Sequence, residues 1–431
     1  MIDEQRHLHV QAHLKASSLD TLPDSALELL HRYEDQNTPA PMKTYTSVIT
    51  SLFSRQTSLA RAQAWDIFSH MRYVAHPIPD VVLYTVMIRA CASPVNPRYP
   101  SEPEKALDLW TEMTQDQKIS PTVGSYNAII LACAKSGTKS FVNEGLRLAR
   151  QMLDSHRDAR GFSAFRPDIK TFCALLEGAK RIGDLGRARW ILVELVRGQG
   201  VDTKEDADTE NDKQVEINEE VMMHMFHAYA AYSPPFQRAA TTLLEEQSKP
   251  ETEQQQQQVS QPPGAVIEAD DHPSFAHIPP QSRQEVIREV KTLFQRIIED
   301  RDSPNPTATG TSLPFSDRKF KNVEITTRLI ASYLSVFYRH AVLETAQEMF
   351  WKIFEEHGVL RSLRVYVEAL ERCGNTKRKV ERNVSLKFAD ELWIKWCEEE
   401  EVLKTRTQNK KPNDPRLIER AHVAMIRVLA M

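Results

Sequence analysis

The stretch "PTVGSYNAIILACAKSG", Pro121 to Gly137, has two close echoes in the chain, "PDVVLYTVMIRACASP" from Pro79 to Pro94 and "PDIKTFCALLEGAKRIGD" from Pro167 to Asp184. All three share a Pro, an extended dipeptide, an aromatic, an apolar pair and a small residue. In the first stretch the apolar positions Tyr126, Ile129, Ile130 and Cys133 fall at helical spacing. Aligning on the opening aromatic gives Tyr45, Tyr84, Tyr126 and Phe172, spaced 39, 42 and 46 residues apart. Self-similarity at such a period is the signature of stacked supersecondary units. It overrides the three or so globular domains that a length of 431 residues suggests.

Each opening helix is followed by a second one with a small residue and then alternating aliphatic and bulky positions: "AWDIFSHM", "ALDLWTEM", "GLRLARQM" and "ARWILVEL". Their Trp, Phe and Met stripe reads as core packing between neighbouring helices. The spacing predicts a truncated repeat over 1–40 around "ALELLHRY" and four full repeats over 41–198. An acidic linker over 199–217 follows, then the first helix of an interrupted repeat over 218–235, "VMMHMFHAYAAY". Its partner, "VKTLFQRI" within 284–300, is delayed by an insert over 236–283 that contains "EQQQQQ" and Pro-Pro and is expected to be disordered. A Pro/Thr/Ser loop over 301–322 precedes divergent helical repeats over 323–431.

The formal net charge is −4, which as a total argues against a polyanion partner, but it is unevenly distributed. Residues 41–200 carry 21 Lys+Arg against 14 Asp+Glu, whereas 201–300 carry 8 against 20. The repeats are basic and the inserted region is acidic. Five cysteines without paired spacing argue against a disulfide framework and for a reducing interior. No window holds the roughly 18 uninterrupted apolar residues of a spanning helix, so no membrane span is expected. The start, "MIDEQRHLHV", is too acidic to read as a transit peptide, and the end, "AHVAMIRVLAM", stops inside an apolar helical pattern. Whether either terminus is complete stays open at this point.

Helix-pair units of this kind suit either tetratricopeptide or pentatricopeptide repeats, and the first helix discriminates. The W-x-x-L-G-x-x-Y pattern of the former is absent. Instead "PDVVLYTVMIRAC" and "PTVGSYNAIILAC" resemble the opening of a pentatricopeptide repeat, strongly over 41–198 and at pattern level over 218–431. The periods here are longer than the about 35 residues of such a unit. The resemblance implies an all-α, right-handed α-solenoid of antiparallel helix pairs that binds single-stranded RNA, each repeat presenting two or three side chains to one base. It also implies a mitochondrial, non-catalytic protein serving RNA processing, stability or translation.

In that family the residue after the aromatic and the residue closing the repeat read the base together. Carried over by register, the pairs are Thr46 with Asp80, Thr85 with Thr122, Asn127 with Asp168, and Cys173 with Asn218. The first resembles a guanine reader and the third a uracil reader. A short amide or hydroxyl can reach a base edge while a carboxylate orients it or bonds the base directly. Taken alone, Asp80 and Asp168 read as helix caps; their register with Thr46 and Asn127 favours the base-reading role. Val82 and Lys170 resemble the wedges between bases, and Lys135, Lys180 and Arg181 close their helices where phosphates would pass.

Little else carries chemistry. Cys91, Cys133 and Cys373 each lie seven residues after their opening Tyr, a slot filled elsewhere by Leu52 and Ala179, and so read as core residues. Paired C-x-x-C zinc spacing, an H-x-E deaminase signature and a G-x-x-x-x-G-K-[ST] phosphate loop are absent. His7, His9 and His13 read as surface residues rather than a metal site. No cofactor, metal or small-molecule substrate is expected. The alternative reading is a protein-binding scaffold, associated for example with the mitochondrial ribosome or an RNA-processing complex.

Overall fold

The first helices begin where a polar side chain can take up the otherwise unpaired amides of the first turn. Asp80 accepts from Leu83 N at 2.8 Å, Thr122 from Ser125 N at 3.2 Å and Asp168 from Thr171 N at 2.8 Å. The computed structural model describes residues 2–18, 21–55, 57–94, 100–155, 157, 163, 165–198, 215–236, 278–302, 318–375, 381–406 and 414–430. Every regular element among them is helical. The chain divides into two compact units, Met1–Asp184 and Leu185–Met431. That boundary falls inside the fourth of the repeats read from 41–198.

The first unit contains α1 (Ile2–Ala16), α2 (Asp24–Asp35), α3 (Met42–Ser54), α4 (Ser58–Val74), α5 (Val81–Cys91), α6 (Pro103–Thr111), α7 (Val123–Lys135), α8 (Lys139–Asp154) and α9 (Ile169–Ile182). A π turn over Glu112–Asp116 extends α6. Helices α3 with α4, α5 with α6 and α7 with α8 form the hairpins, while α3, α5, α7 and α9 pack in succession. The opening tyrosines Tyr45, Tyr84 and Tyr126 are buried between them. Two of these place their hydroxyls on buried or half-buried carboxylates: Tyr45 donates to Glu34 at 2.6 Å and Tyr84 to Glu112 at 2.8 Å. A small buried residue inside each second helix, Ala64, Ala106 or Gly145, leaves room for the hairpin to pack closely. A Cβ on Gly145, for instance, would stand 3.5 Å from Cys133 Cβ. Helix α9 ends at Gly183, whose φ of +68° is a left-handed cap that Gly adopts without steric cost.

The second unit contains α10 (Leu185–Gly198), α11 (Glu219–Ala231), α12 (Arg283–Asp302), α13 (Thr327–His340), α14 (Leu343–Glu356), α15 (Leu363–Gly374), α16 (Arg382–Arg406) and α17 (Pro415–Ala430). Helix α11 packs mainly on α13, and α12 lies against both. An aromatic cluster joins these three: Phe294 stacks on Tyr333 with ring centroids 4.3 Å apart, and Phe226 meets Tyr333 edge-on at 5.5 Å. Helix α15 is flanked by α16 and α17.

Of the expected insert over 236–283, residues 237–277 lie outside the described residues, as do 199–214 of the acidic linker and 303–317 of the Pro/Thr/Ser loop. The two ends of the insert meet. Phe236 N donates to Gln281 O at 3.0 Å and the Tyr232 hydroxyl to Pro280 O at 3.0 Å, so the chain leaves and re-enters the unit at one corner. Residues 278–283, read from sequence as insert, belong to that packed corner.

Candidate functional site

Asn127 and Asp168 are 41 residues apart in sequence, and the stacking of α7 against α9 brings them into contact. Asn127 Nδ2 donates to Asp168 Oδ1 at 2.9 Å. Thr171, buried on the first turn of α9, donates its hydroxyl to Asn127 Oδ1 at 2.6 Å and accepts from Asp168 N at 3.1 Å. These bonds fix the amide orientation. Flipping it would set the amide oxygen against the carboxylate oxygen at 2.9 Å. The second Nδ2 proton and Asp168 Oδ2 remain for a ligand, a donor beside an acceptor on two half-buried residues.

One repeat earlier, hydroxyls form an equivalent chain. Thr85 Oγ1 lies 2.7 Å from Ser125 Oγ, and Ser125 Oγ lies 3.0 Å from Thr122 Oγ1. Ser125 therefore bridges Thr85 to Thr122 as Thr171 bridges Asn127 to Asp168. Neither bridging residue was singled out from sequence, although the signal was there: a small hydroxyl directly before the opening aromatic, Ser125 before Tyr126 and Thr171 before Phe172. Thr46 and Asp80 are not joined in this way. The bridging position on α5 is Leu83, the Thr46 hydroxyl turns back to Met42 O at 3.2 Å, and Asp80 stays exposed as a helix cap. Cys173 is buried in the first unit, and Asn218 caps α11 in the second by accepting from Val221 N at 3.1 Å.

Val82 and Lys170 both stand exposed on the first turns of α5 and α9. The basic residues at the far ends of these helices are only partly available. Glu177, buried, accepts from Lys180 and, at 2.6 Å, from Arg181 Nε. Lys135 is half-buried beside them. Burial holds its pKa below the usual Lys value, Glu177 pulls it back up, and Arg181, Lys180 and Arg89 lower it further. Lys180 and Arg181 thus share one carboxylate, with Lys135 near all three and Arg89 acting on Lys135, a local excess of positive charge that favours an arriving anion.

Cys91, Cys133 and Cys373 are fully buried, and burial pushes each thiol up to about 12, which makes them packing residues rather than nucleophiles. His7 and His9 are turned to separate partners, Thr44 Oγ1 at 3.0 Å and the Tyr33 hydroxyl at 2.9 Å. No helix among the described residues is long and apolar enough to cross a membrane.

Residues 77–136, which span α5 to α7, match the pentatricopeptide repeat domain family. Among curated proteins, a chloroplastic pentatricopeptide repeat-containing protein of Arabidopsis thaliana is 30% identical over 122 residues, which cover 27% of this chain and 14% of that protein. Among solved structures, the chain is similar to a crystal structure of the pentatricopeptide repeat protein PPR10 in complex with an 18-nt psaJ RNA element. The match is at 15% identity and a TM-score of 0.39, and covers 99% of this chain and 50% of that one. A structure of PPR10 from maize is similar at 13% identity and a TM-score of 0.37, covering 98% and 56%. The chain spans one seventh of the curated relative's length and about half of the structural ones.

Proposed function

We propose that this chain, which carries pentatricopeptide repeat sequence over residues 77–136, binds single-stranded RNA and reads one base with each of its well-formed repeats. The observation that carries this reading is the Asn127–Asp168 pair: two residues chosen by register meet at 2.9 Å, and Thr171 holds the amide in one orientation. The remaining amide proton and carboxylate oxygen suit a base edge that offers an acceptor next to an N–H, as uracil does. The Thr85–Ser125–Thr122 chain gives the preceding repeat a hydroxyl edge, and Lys135 with its cationic neighbours faces the phosphates. The protein acts by binding, without chemistry of its own, and serves mitochondrial RNA processing, stability or translation.

The test is selection of an RNA motif by the full chain at low salt, where phosphate contacts are strongest. Replacing Asn127 with Thr should move the preference at one nucleotide from uracil toward guanine while leaving overall affinity nearly unchanged. Binding at background level would replace this reading with a protein-binding scaffold. Two features favour that second reading: Glu177 already engages Lys180 and Arg181, and Thr46 does not meet Asp80.

A further inference from the structure

The first unit holds a second cluster of chemistry-bearing side chains, one that takes no part in the base-reading geometry. His31 and Glu34 sit one turn apart on α2, and His70 reaches them from α4. His31 Nδ1 lies 3.0 Å and His70 Nε2 3.1 Å from the same carboxylate oxygen, Glu34 Oε2. All three atoms lie within 4.8 Å of one another. The imidazoles stand edge to face, their centroids 5.5 Å apart.

We propose that His31, Glu34 and His70 form a binding site for a divalent transition metal of the zinc class. The donor set, two neutral imidazole nitrogens and one carboxylate oxygen, suits zinc and its borderline neighbours cobalt and nickel. The geometry also fits. Bonds of about 2.0–2.1 Å at tetrahedral angles hold ligand atoms roughly 3.3 Å apart. The two His–Glu separations need to open by only a few tenths of an ångström to admit an ion. The carboxylate is already oriented from behind, because its other oxygen, Oε1, accepts the Tyr45 hydroxyl at 2.6 Å. Such an outer partner fixes a ligand's direction and strengthens metal binding.

The three ligands border a cavity of about 320 Å³ that Gln63 and Asp66 also line. Asp66 precedes His70 by one helical turn, and Gln63 Oε1 is buried without a hydrogen-bond partner. The site therefore has room for a fourth ligand, either Asp66 or a water that Gln63 can hold. His70 excludes a role confined to one helix, since it is 36 residues beyond Glu34 and on a different hairpin. A bound ion ties α2 to α4, and through Tyr45 it adjoins Thr46 on α3.

The experiment uses the full chain, freed of affinity-tag histidines and stripped of metal with a chelator, titrated with Co(II) and then Zn(II). One equivalent of Co(II) should produce visible d–d absorption of a four-coordinate nitrogen and oxygen site, which Zn(II) abolishes, and Zn(II) should raise the melting temperature. His70→Gln, which keeps a polar side chain on α4, should remove both the absorption and the zinc-dependent melting shift, with helical circular dichroism as the check on folding. Tyr45→Phe should weaken binding about tenfold. A chain carrying His9→Ala and His13→Ala should bind like the unaltered one. The proposal is overturned if no such absorption develops, if it persists in a folded His70→Gln protein, or if it disappears in the His9 and His13 variant.

Discussion

Thr171→Val removes one hydroxyl and keeps the shape of the side chain. Thr171 is fully buried, so the change leaves the Asp168 amide without its acceptor and Asn127 Oδ1 without its donor. A buried orphaned group costs about 1–3 kcal/mol. Both orphaned groups belong to half-buried residues that can partly recover a water, so a total near 2 kcal/mol, rather than the full cost of two buried groups, is expected. For a unit of this size the melting temperature should fall by about 4–8 °C. Function should respond separately. Asp168 still attracts Nδ2, but the amide is no longer held from both sides. Discrimination at the nucleotide facing this repeat should fall about tenfold, the ~1.4 kcal/mol of one modest hydrogen bond. Affinity for a non-cognate RNA and its salt dependence should not change, since no phosphate contact is touched. The assay is equilibrium binding to a selected RNA and to its single-base variants, with Thr171→Ser as the control that restores the hydroxyl. Loss of stability with unaltered discrimination would refute the idea that Thr171 presets a base reader, and Asp168 would then be a helix cap alone.

Three further outcomes are expected. Lys135→Ala should weaken all RNAs alike and flatten the dependence of affinity on salt, as measured by binding across a salt series. His340 is buried with Nε2 on Tyr229 O at 2.9 Å, and burial lowers its pKa below the usual 6.5, so the folded second unit resists protonation that the unfolded chain accepts. Its stabilising contribution is full above pH 6.5 and declines as pH falls from there toward the lowered value; denaturant melts should show this slope, and His340→Gln should reduce it. Removing residues 239–275 with a short Gly/Ser bridge should keep helical circular dichroism and cooperative melting, because the insert's ends already meet at Phe236 and Gln281 and loop closure depends only weakly on length.

Much of the fold is legible in the sequence because a helix records its buried face locally. The apolar period around Tyr45, Tyr84, Tyr126 and Phe172 marks each first helix, the Pro-Asp and Pro-Thr steps mark where three of them start, and the recurring cysteine slot identifies a core position. Register was equally local, so pairing Asn127 with Asp168 required only counting. Whether a pair meets was not, because that depends on how neighbouring helices are stacked. Asn127 reaches Asp168 because Thr171 stands between α7 and α9 to bridge them; Thr46 and Asp80 have the same register, but Leu83 occupies the bridging position and offers no hydrogen bond. The engagement of Lys180 and Arg181 by Glu177 was visible in principle as spacings of three and four along one helix, whereas the position of Lys135 beside them was not. Likewise, the convergence of His31 and Glu34 on His70 leaves no trace in the sequence, since the three lie on two helices from different hairpins. The sequence by itself determined which residues form helices and which faces those helices bury. Only the tertiary structure decided which polar side chains meet across the hairpins, because those contacts depend on distances between helices that no periodicity encodes.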